Sequence, residues 1–179
     1  MHSIPCSART MNVGPLEASW RARDAIVEGQ TQTLRLMIDS KEVHANTRTH
    51  NDTTLLMLSV KQRNAEAFAA LADRMRSRST LSRKDILGNT VLHYIAHGLP
   101  DDVFAADSSD PTWCDLITSF FQSYPLHLPW ATTNRDQETA FDLAERQGKT
   151  HLQALMNMAL KLHPYDVRKR PDSTWCDDF

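Results

Sequence analysis

The chain has 179 residues, 41% of them hydrophobic, and its 20 Lys and Arg nearly balance its 22 Asp and Glu. This length suits one domain with its own core, while a formal net charge of −2 excludes a broad positive field for nucleic acid or an anionic membrane. Five glycines are too few for a strand-rich fold with many tight turns, and three cysteines without a closely spaced pair fit a reducing compartment. The composition therefore predicts an all-α protein.

Apolar residues recur at helical spacing along most of the chain. The predicted helices lie near residues 16–28, 31–39, 54–62, 65–76, 90–97, 112–123, 139–147 and 150–161, with loops at 40–53, 77–89 and 124–138. The N-terminal residues lack the apolar run of a secretion signal, and no stretch reaches the ~18 apolar residues of a membrane span. We expect a soluble protein of the cytoplasm.

Three of the predicted helices begin with the same pattern, a small or polar residue followed by Thr and an apolar stretch. The segments read TTLLMLSVKQRN from Thr53, GNTVLHYIAHG from Gly88 and QETAFDLAERQG from Gln137. A Thr hydroxyl can cap the free N–H groups of a first helical turn, and Gly allows the positive φ of a tight turn. The pattern predicts that each segment starts a helix directly after a projecting turn.

The second segment is the most complete. From Asp85 to Ala96 the chain reads DILGNTVLHYIA, which resembles the signature of the ankyrin-repeat family, D-x-x-G-x-T-P-L-H-x-A-A, with Val91 in place of Pro. In the weaker copies Asp52 and Gln137 take the Gly position. The resemblance implies an ankyrin-repeat solenoid, a stack of helix-turn-helix units with projecting hairpin loops.

The spacing of the aligned Thr residues defines the units. Thr54, Thr90 and Thr139 lie 36 and 49 residues apart, against a family period of about 33. The extra residues fall in the segments 76–83, 99–111 and 124–130. We therefore predict a flexible segment 1–15, a repeat domain 16–161 with approximate repeats 16–45, 46–81, 82–130 and 131–161, and a polar tail 162–179.

Local motifs for catalysis or phosphate binding do not occur in the sequence. His44 and His50 have the nearest approach to a metal-ligand spacing, but their place in a predicted loop favours simple exposure. His93 beside Tyr94 raises a general-base hypothesis, whereas the resemblance implies a structural histidine bonded to neighbouring backbone. We expect no enzymatic activity, no cofactor and no metal. A small enzyme using His93 is the disfavoured alternative.

The acidic segment 99–111 carries four Asp in thirteen residues. It lacks the alternating oxygen donors and the final Glu of a calcium loop. A solvated insertion is the favoured interpretation, with a partner-binding loop as the alternative.

Basic residues cluster at Arg74, Arg76, Arg78, Arg83 and Lys84, and again in the run 168–170. Neither cluster has the aromatic interleaving of a nucleic-acid site, so no direct nucleic-acid binding is expected. The first cluster could meet an acidic partner, and the second could direct nuclear import. The peptide TWCD occurs at 112–115 and again at 174–177. The tail with the second copy is expected to fold back over the last repeat, with a linear binding motif as the alternative.

The resemblance implies that a partner protein binds across the hairpin tips and the concave face of the first helices. The residues predicted for this surface are His50, Asn51, Thr53, Lys61, Gln62, Ile86, Leu87, Asn89, His97, Arg135, Asp136, Glu138, Arg146 and Gln147. Ile86 and Leu87 are apolar where solvent is expected, so they are the best candidate anchor.

The sequence therefore predicts a non-enzymatic protein-protein interaction module, monomeric by itself, that touches neither membrane nor nucleic acid. One hypothesis is an IκB-like inhibitor of host signalling or transcription. The other is a housekeeping adaptor or assembly chaperone, and the sequence leaves both open.

Overall fold

The computed structural model describes residues 15–75, 81–105, 111–124 and 127–162. Within these ranges the helices are α1 Pro15–Val27, α2 Thr31–Asp39, α3 Leu55–Lys61, α4 Ala65–Ala72, α5 Val91–Gly98, α6 Pro111–Ser123, α7 Ala140–Arg146 and α8 Thr150–Leu162. Extended pairing among the described residues is limited to two isolated bridges. The prediction of an all-α protein is confirmed, and α4 differs most from its predicted bounds because it ends at Ala72. None of these helices is long and apolar enough to cross a membrane.

The helices form two rows. In the first row α1, α3, α5 and α7 pack side by side in that order, and in the second α2, α4, α6 and α8 do the same. The pairs α1 with α2, α3 with α4, and α7 with α8 also pack on each other, so consecutive helix-turn-helix pairs stack in one direction. The third pair differs, since a 3₁₀ turn at Asp101–Phe104 follows α5 and packs on α6 and α8.

The core lies between the two rows. Small side chains allow the helices to approach closely: Ala22, Ala67, Ala96 and Ala144 are fully buried, one on each of α1, α4, α5 and α7. Aromatic rings fill the wider space near α4 and α6, where the ring of Phe68 lies 5.2 Å from that of Phe120 and 5.6 Å from that of Trp113. Burial of this apolar area is the main stabilising contribution to the stack.

The loops before α3, α5 and α7 are each closed by one backbone bond, and we call them finger 1 (49–53), finger 2 (85–89) and finger 3 (134–138). Fingers 2 and 3 share the same inner turn, whereas finger 1 differs because Asn51 also has a positive φ, of 61°. In each finger the first N–H donates to the fifth carbonyl, at 2.8, 3.0 and 2.9 Å. The fourth residue has a positive φ in every case, 57° at Asp52, 80° at Gly88 and 61° at Gln137. The predicted alignment placed these three residues at one position, and their shared conformation agrees with it.

The fingers bond to one another. The Ile86 N–H donates to the Asn51 carbonyl at 3.2 Å, and the Arg135 N–H donates to the Leu87 carbonyl at 2.9 Å. The side chains of Asn134 and Asn89 add a bond of 3.3 Å. Three loops of different sequence are thus held as one continuous edge.

The opposite ends of the first-row helices are also tied together. Gly29, Arg63 and Gly148 end α1, α3 and α7 with positive φ values of 71°, 51° and 68°. The side chain of Asn64, next after Arg63, donates to the Ile26 carbonyl at 3.0 Å. Lys149, next after Gly148, makes the matching bond to the Ala96 carbonyl. The stack thus repeats the same tie between neighbouring units.

Helix α5 is the exception, because its C-cap residue Leu99 is extended, with φ −95° and ψ 135°. Without a left-handed turn, the last carbonyls of α5 have to be satisfied by side chains from neighbouring units. The Lys149 ammonium bonds the carbonyls of Ala96 and Leu99, the second at 2.6 Å, and the Arg63 Nε donates to the Gly98 carbonyl at 3.2 Å.

The acidic insertion is part of the fold over residues 99–105, and its interpretation as a solvated loop is wrong there. Leu99 and Phe104 are buried. Asp101 caps α8, since its carboxylate accepts the N–H groups of His151 at 3.2 Å and Leu152 at 3.0 Å. Partial burial opposes ionisation of Asp101, but these bonds and the His151 ring together lower its pKa below 3.8. Residues 106–110 lie outside the described ranges, as do Arg76, Arg78, the run 168–170 and the second TWCD copy.

Candidate partner-binding cleft

A cleft of about 600 Å³ opens between fingers 2 and 3 and the ends of the first-row helices. Residues predicted for the binding surface supply half of its lining: Lys61, Leu87, Asn89, His97, Asp136, Glu138 and Arg146. The others are Arg63, Asp85, His93, Tyr94, Gly98, Asn134 and Leu143. The structure thus brings together residues from three units that are far apart in sequence.

The base of finger 2 is held by Asp85, whose side chain is buried in the turn. One carboxylate oxygen accepts the N–H groups of Leu87 and Asn89, both at 2.8 Å. The other accepts the Tyr94 hydroxyl at 2.9 Å. In finger 3 the side-chain oxygen of Asn134 accepts the N–H groups of Asp136 and Glu138 in the same way, at 3.0 and 3.1 Å. Both fingers therefore have a defined shape before any partner binds.

Tyr94 links finger 1 to finger 2 at the floor of the cleft. Its hydroxyl lies 3.4 Å from the Thr53 hydroxyl and donates to Asp85. Burial raises the pKa of Tyr94 to about 12, and the Asp85 carboxylate acts in the same direction while the bond to Thr53 opposes it. The Tyr94 hydroxyl therefore remains protonated at physiological pH.

Thr53 differs from its predicted role as a presented surface residue. It is only 7% exposed, because its side chain turns inward between finger 1 and Tyr94. Its contribution is to the wall of the stack and not to an open surface.

His93 is buried beneath the cleft with both ring nitrogens engaged. Nδ1 lies 2.9 Å from the Thr90 hydroxyl and accepts the Thr90 N–H at 3.2 Å, while Nε2 lies 3.0 Å from the Glu138 carbonyl. Since a carbonyl only accepts, the Nε2 atom carries the proton and the ring is neutral. Burial lowers the pKa of His93 below 6.5 against the raising effect of the Glu138 carbonyl, and Lys84 adds to the lowering. These contacts agree with the structural role expected for His93.

Charged side chains line the rim of the cleft. Arg146 donates to both carboxylate oxygens of Glu138, at 2.6 and 2.9 Å, and this pairing raises the pKa of Arg146. Lys61 and His97 are exposed at the helix ends, and Asp136 is exposed on finger 3. The rim therefore presents both signs of charge, which favours a partner recognised by local complementarity.

The tip of finger 2 is apolar. Ile86 is 45% exposed and Leu87 is 53% exposed. The other predicted surface residues, His50, Asn51, Gln62, Arg135 and Gln147, are exposed but lie outside the cleft lining. An apolar tip beside a charged cleft is the arrangement expected of a contact surface with a central anchor.

Seven lining residues were not among those predicted for the surface. Asp85, His93 and Tyr94 belong to the signature segment, and Gly98 follows it. Arg63 occupies a left-handed turn where Gly is usual, and nothing in its neighbourhood signals that its side chain reaches α5. Asn134 and Leu143 lie in the predicted repeat 131–161, and only the alignment of the repeats places that unit beside finger 2. Groups of three or more metal-binding side chains do not occur among the described residues.

Comparison with protein-family models and with curated proteins finds no match to this chain.

Proposed function

We propose that the chain is an ankyrin-type repeat protein that binds a partner protein with fingers 1 to 3 and the adjoining cleft, and carries out no chemistry of its own. The observation that carries this proposal is the exposed Ile86–Leu87 tip at the mouth of the cleft. Large apolar side chains on a rigid turn lose little conformational entropy on binding, which makes them effective anchors.

The ankyrin assignment is supported by the repeated finger geometry together with the Thr90 and His93 contact. The Thr90 hydroxyl bonds His93, and the His93 ring then bonds the backbone of the next finger. In the signature that Asp85 to Ala96 resembles, these are the Thr and His positions. The resemblance and the packing thus assign the same role to the same residues.

A catalytic role for His93 receives no support from the geometry. A general base needs a ring nitrogen free to accept a proton from substrate, within hydrogen-bond reach. Both nitrogens of His93 already have partners within the stack. The exposed His97 at the rim has no such constraint, but a single exposed histidine does not make an acid-base pair.

The test is binding by the variant Ile86→Asp with Leu87→Asp. The partner is first captured from native cells with the full chain and then purified, and its affinity is measured by calorimetry. We expect binding weaker by about thirtyfold or more with an unchanged circular dichroism spectrum, since two apolar anchors that become buried on binding each contribute on the order of 1–2 kcal/mol.

The matched control is Leu36→Asp with Met158→Asp, on α2 and α8. These side chains are also exposed, at 60% and 57%, but lie on second-row helices away from the fingers. Binding retained by the finger variant, or lost equally in the control, would contradict the proposed site. An activity assay on the captured partner separates an inhibitor from an adaptor or chaperone.

A further inference from the structure

Helix α1 carries an exposed apolar strip that the cleft does not include. Leu16 is 74% exposed, Trp20 61% and Val27 49%, and their spacing of four and seven residues places them on one face of the helix. The opposite face holds the buried residues Ala18 and Ala25. An exposed Trp with two aliphatic neighbours is more than scattered surface apolarity.

The alignment of the repeats places Val27, the most C-terminal residue of this strip, in the same row of positions as residues that line the cleft. The Ile26 carbonyl accepts Asn64 as the Ala96 carbonyl accepts Lys149, so the residues that follow, Val27 and His97, are equivalent. The positive-φ residues that end α1, α3 and α7 give the same register. One row of positions thus crosses the first-row helices at Val27, Lys61, His97 and Arg146.

The chemistry changes along this row. The row is apolar at α1, where it passes Val27, and cationic at α3, where it passes Lys61 and the neighbouring Arg63. Among the described residues, neither of these two cations has a carboxylate within ion-pair distance. Asp24, on α1, is engaged by Arg23 at 3.1 Å. A partner that follows the row therefore meets an apolar surface first and a positive charge next.

Helix spacing fixes the distance between these two features. Packed helices lie about 8–10 Å apart, and an extended chain advances about 3.3 Å per residue. A segment that crosses from α1 to α3 therefore covers the gap in about three residues.

Building on the proposed function, we infer that the partner-binding surface continues onto α1 and takes an extended acidic segment of the partner. Apolar side chains of that segment rest along Leu16, Trp20 and Val27, which span about 16 Å of α1. A carboxylate about three residues beyond the side chain on Val27 binds Lys61 and Arg63.

The strip by itself is too small to hold a second copy of the chain. Three partly exposed side chains present a few hundred Å² at most, whereas a stable protein interface buries about 800 Å² per partner. The strip reaches such an area only when it is joined to the cleft and fingers, as a single partner crossing both would join them.

The probe is a panel of synthetic twelve-residue peptides, each with one Phe-Leu pair and one Glu-Glu pair in a Gly-Ser background. The separation of the pairs is varied from zero to five residues, and binding to the full chain is measured by fluorescence anisotropy. We expect the three-residue separation to bind at least tenfold tighter than zero, and replacement of Glu by Lys to abolish this preference. A panel without such a preference, or without any binding, overturns the inference.

Variants of the chain locate the binding. Trp20→Ser with Val27→Ser, the strip variant, should weaken the preferred peptide at least tenfold, and so should Lys61→Glu, while Leu36→Ser should leave it unchanged. Equal binding by the strip variant overturns the inference. A dimer in light scattering that the strip variant abolishes also overturns the inference. Protection of Trp20 from acrylamide quenching overturns it as well, if that protection is lost when residues 1–14 are removed.

Two failures remain distinguishable. If the captured partner loses affinity for the Ile86→Asp, Leu87→Asp chain but binds the strip variant normally, the proposed function stands and the extension onto α1 is wrong. If it binds both variants normally, the proposed function is wrong as well.

Discussion

Replacing Lys149 by Met would remove the ammonium that satisfies the end of α5 while keeping most of the side-chain stem. Lys149 is 8% exposed, and its Nζ bonds the carbonyls of Ala96, His97 and Leu99. No left-handed turn follows α5, so no backbone N–H of such a turn is in place to take over these carbonyls. The substitution therefore tests whether one side chain compensates for an irregular unit.

The expected loss in the free energy of unfolding depends on how many of these carbonyls remain buried without a hydrogen-bond partner. Ala96 and Leu99 are at most 1% exposed, and a buried carbonyl without a partner costs about 1–3 kcal/mol. The carbonyl of the exposed His97 can turn to water. Burial lowers the pKa of Lys149, with Arg63 acting in the same direction and Asp101 against it, so removing the ammonium also relieves a desolvation cost. We expect a net loss of about 2–3 kcal/mol in the free energy of unfolding.

Urea denaturation followed by circular dichroism measures this loss, with the m-value expected to stay constant. In a domain of this size it corresponds to a melting temperature lower by about 5–10 °C. The control is Lys161→Met, because Lys161 is an exposed lysine on α8. If Lys149→Met stays within about 0.5 kcal/mol of the parent chain, as surface substitutions usually do, the capping argument fails.

Three further predictions concern the fingers and the insertion. Burial holds the pKa of His93 in the folded chain below the ordinary histidine value of 6.5, so the unfolded state binds more protons as the pH falls through that range. Stability should therefore be full above about pH 6.5 and fall as the pH drops, and His93→Gln should flatten this slope in denaturation series. Gly88→Ala should cost about 1 kcal/mol more than Gly148→Ala in urea denaturation, because both need a left-handed backbone but only at Gly88 would the new Cβ lie 3.1 Å from a backbone nitrogen of finger 3; equal costs would refute the contact. Asp101→Ala should lower stability by about 1–2 kcal/mol through loss of the α8 cap, whereas the exposed Asp102→Ala should change it little, and equal melting temperatures would count against the cap.

Much of the helical layout could be predicted, because apolar periodicity and turn residues are local signals. The Thr at each helix start and the polar residue at the Gly position located all three fingers, including the left-handed Asp52 and Gln137. Thr54 and Thr139 also cap their helices as expected, each accepting a backbone N–H three residues on at 3.2 Å. Half of the cleft lining followed from the same alignment.

The remaining features depend on partners that are distant in sequence. Thr53 is buried because Tyr94 lies over it from 41 residues away. Leu99 and Phe104 belong to the core although the segment around them is acidic, since α6 and α8 supply the apolar surface on which the turn packs. Neither Lys149 nor Arg63 has a local pattern that points to α5, because the need for them arises only when α5 ends without its turn.

Two lysines near the cleft, Lys149 and Lys61, therefore have different physical roles that a sequence cannot separate. The Lys149 ammonium is buried and occupied by carbonyls, so its charge is used within the stack. Lys61, one turn before Asn64 and its inter-unit tie, is exposed, and no ion pair with it occurs among the described residues. Substituting Lys149 should change the free energy of unfolding more than partner affinity, and substituting Lys61 should do the reverse. Measuring both quantities for both variants separates scaffold from binding surface, and parallel changes in the two would show that the division is wrong.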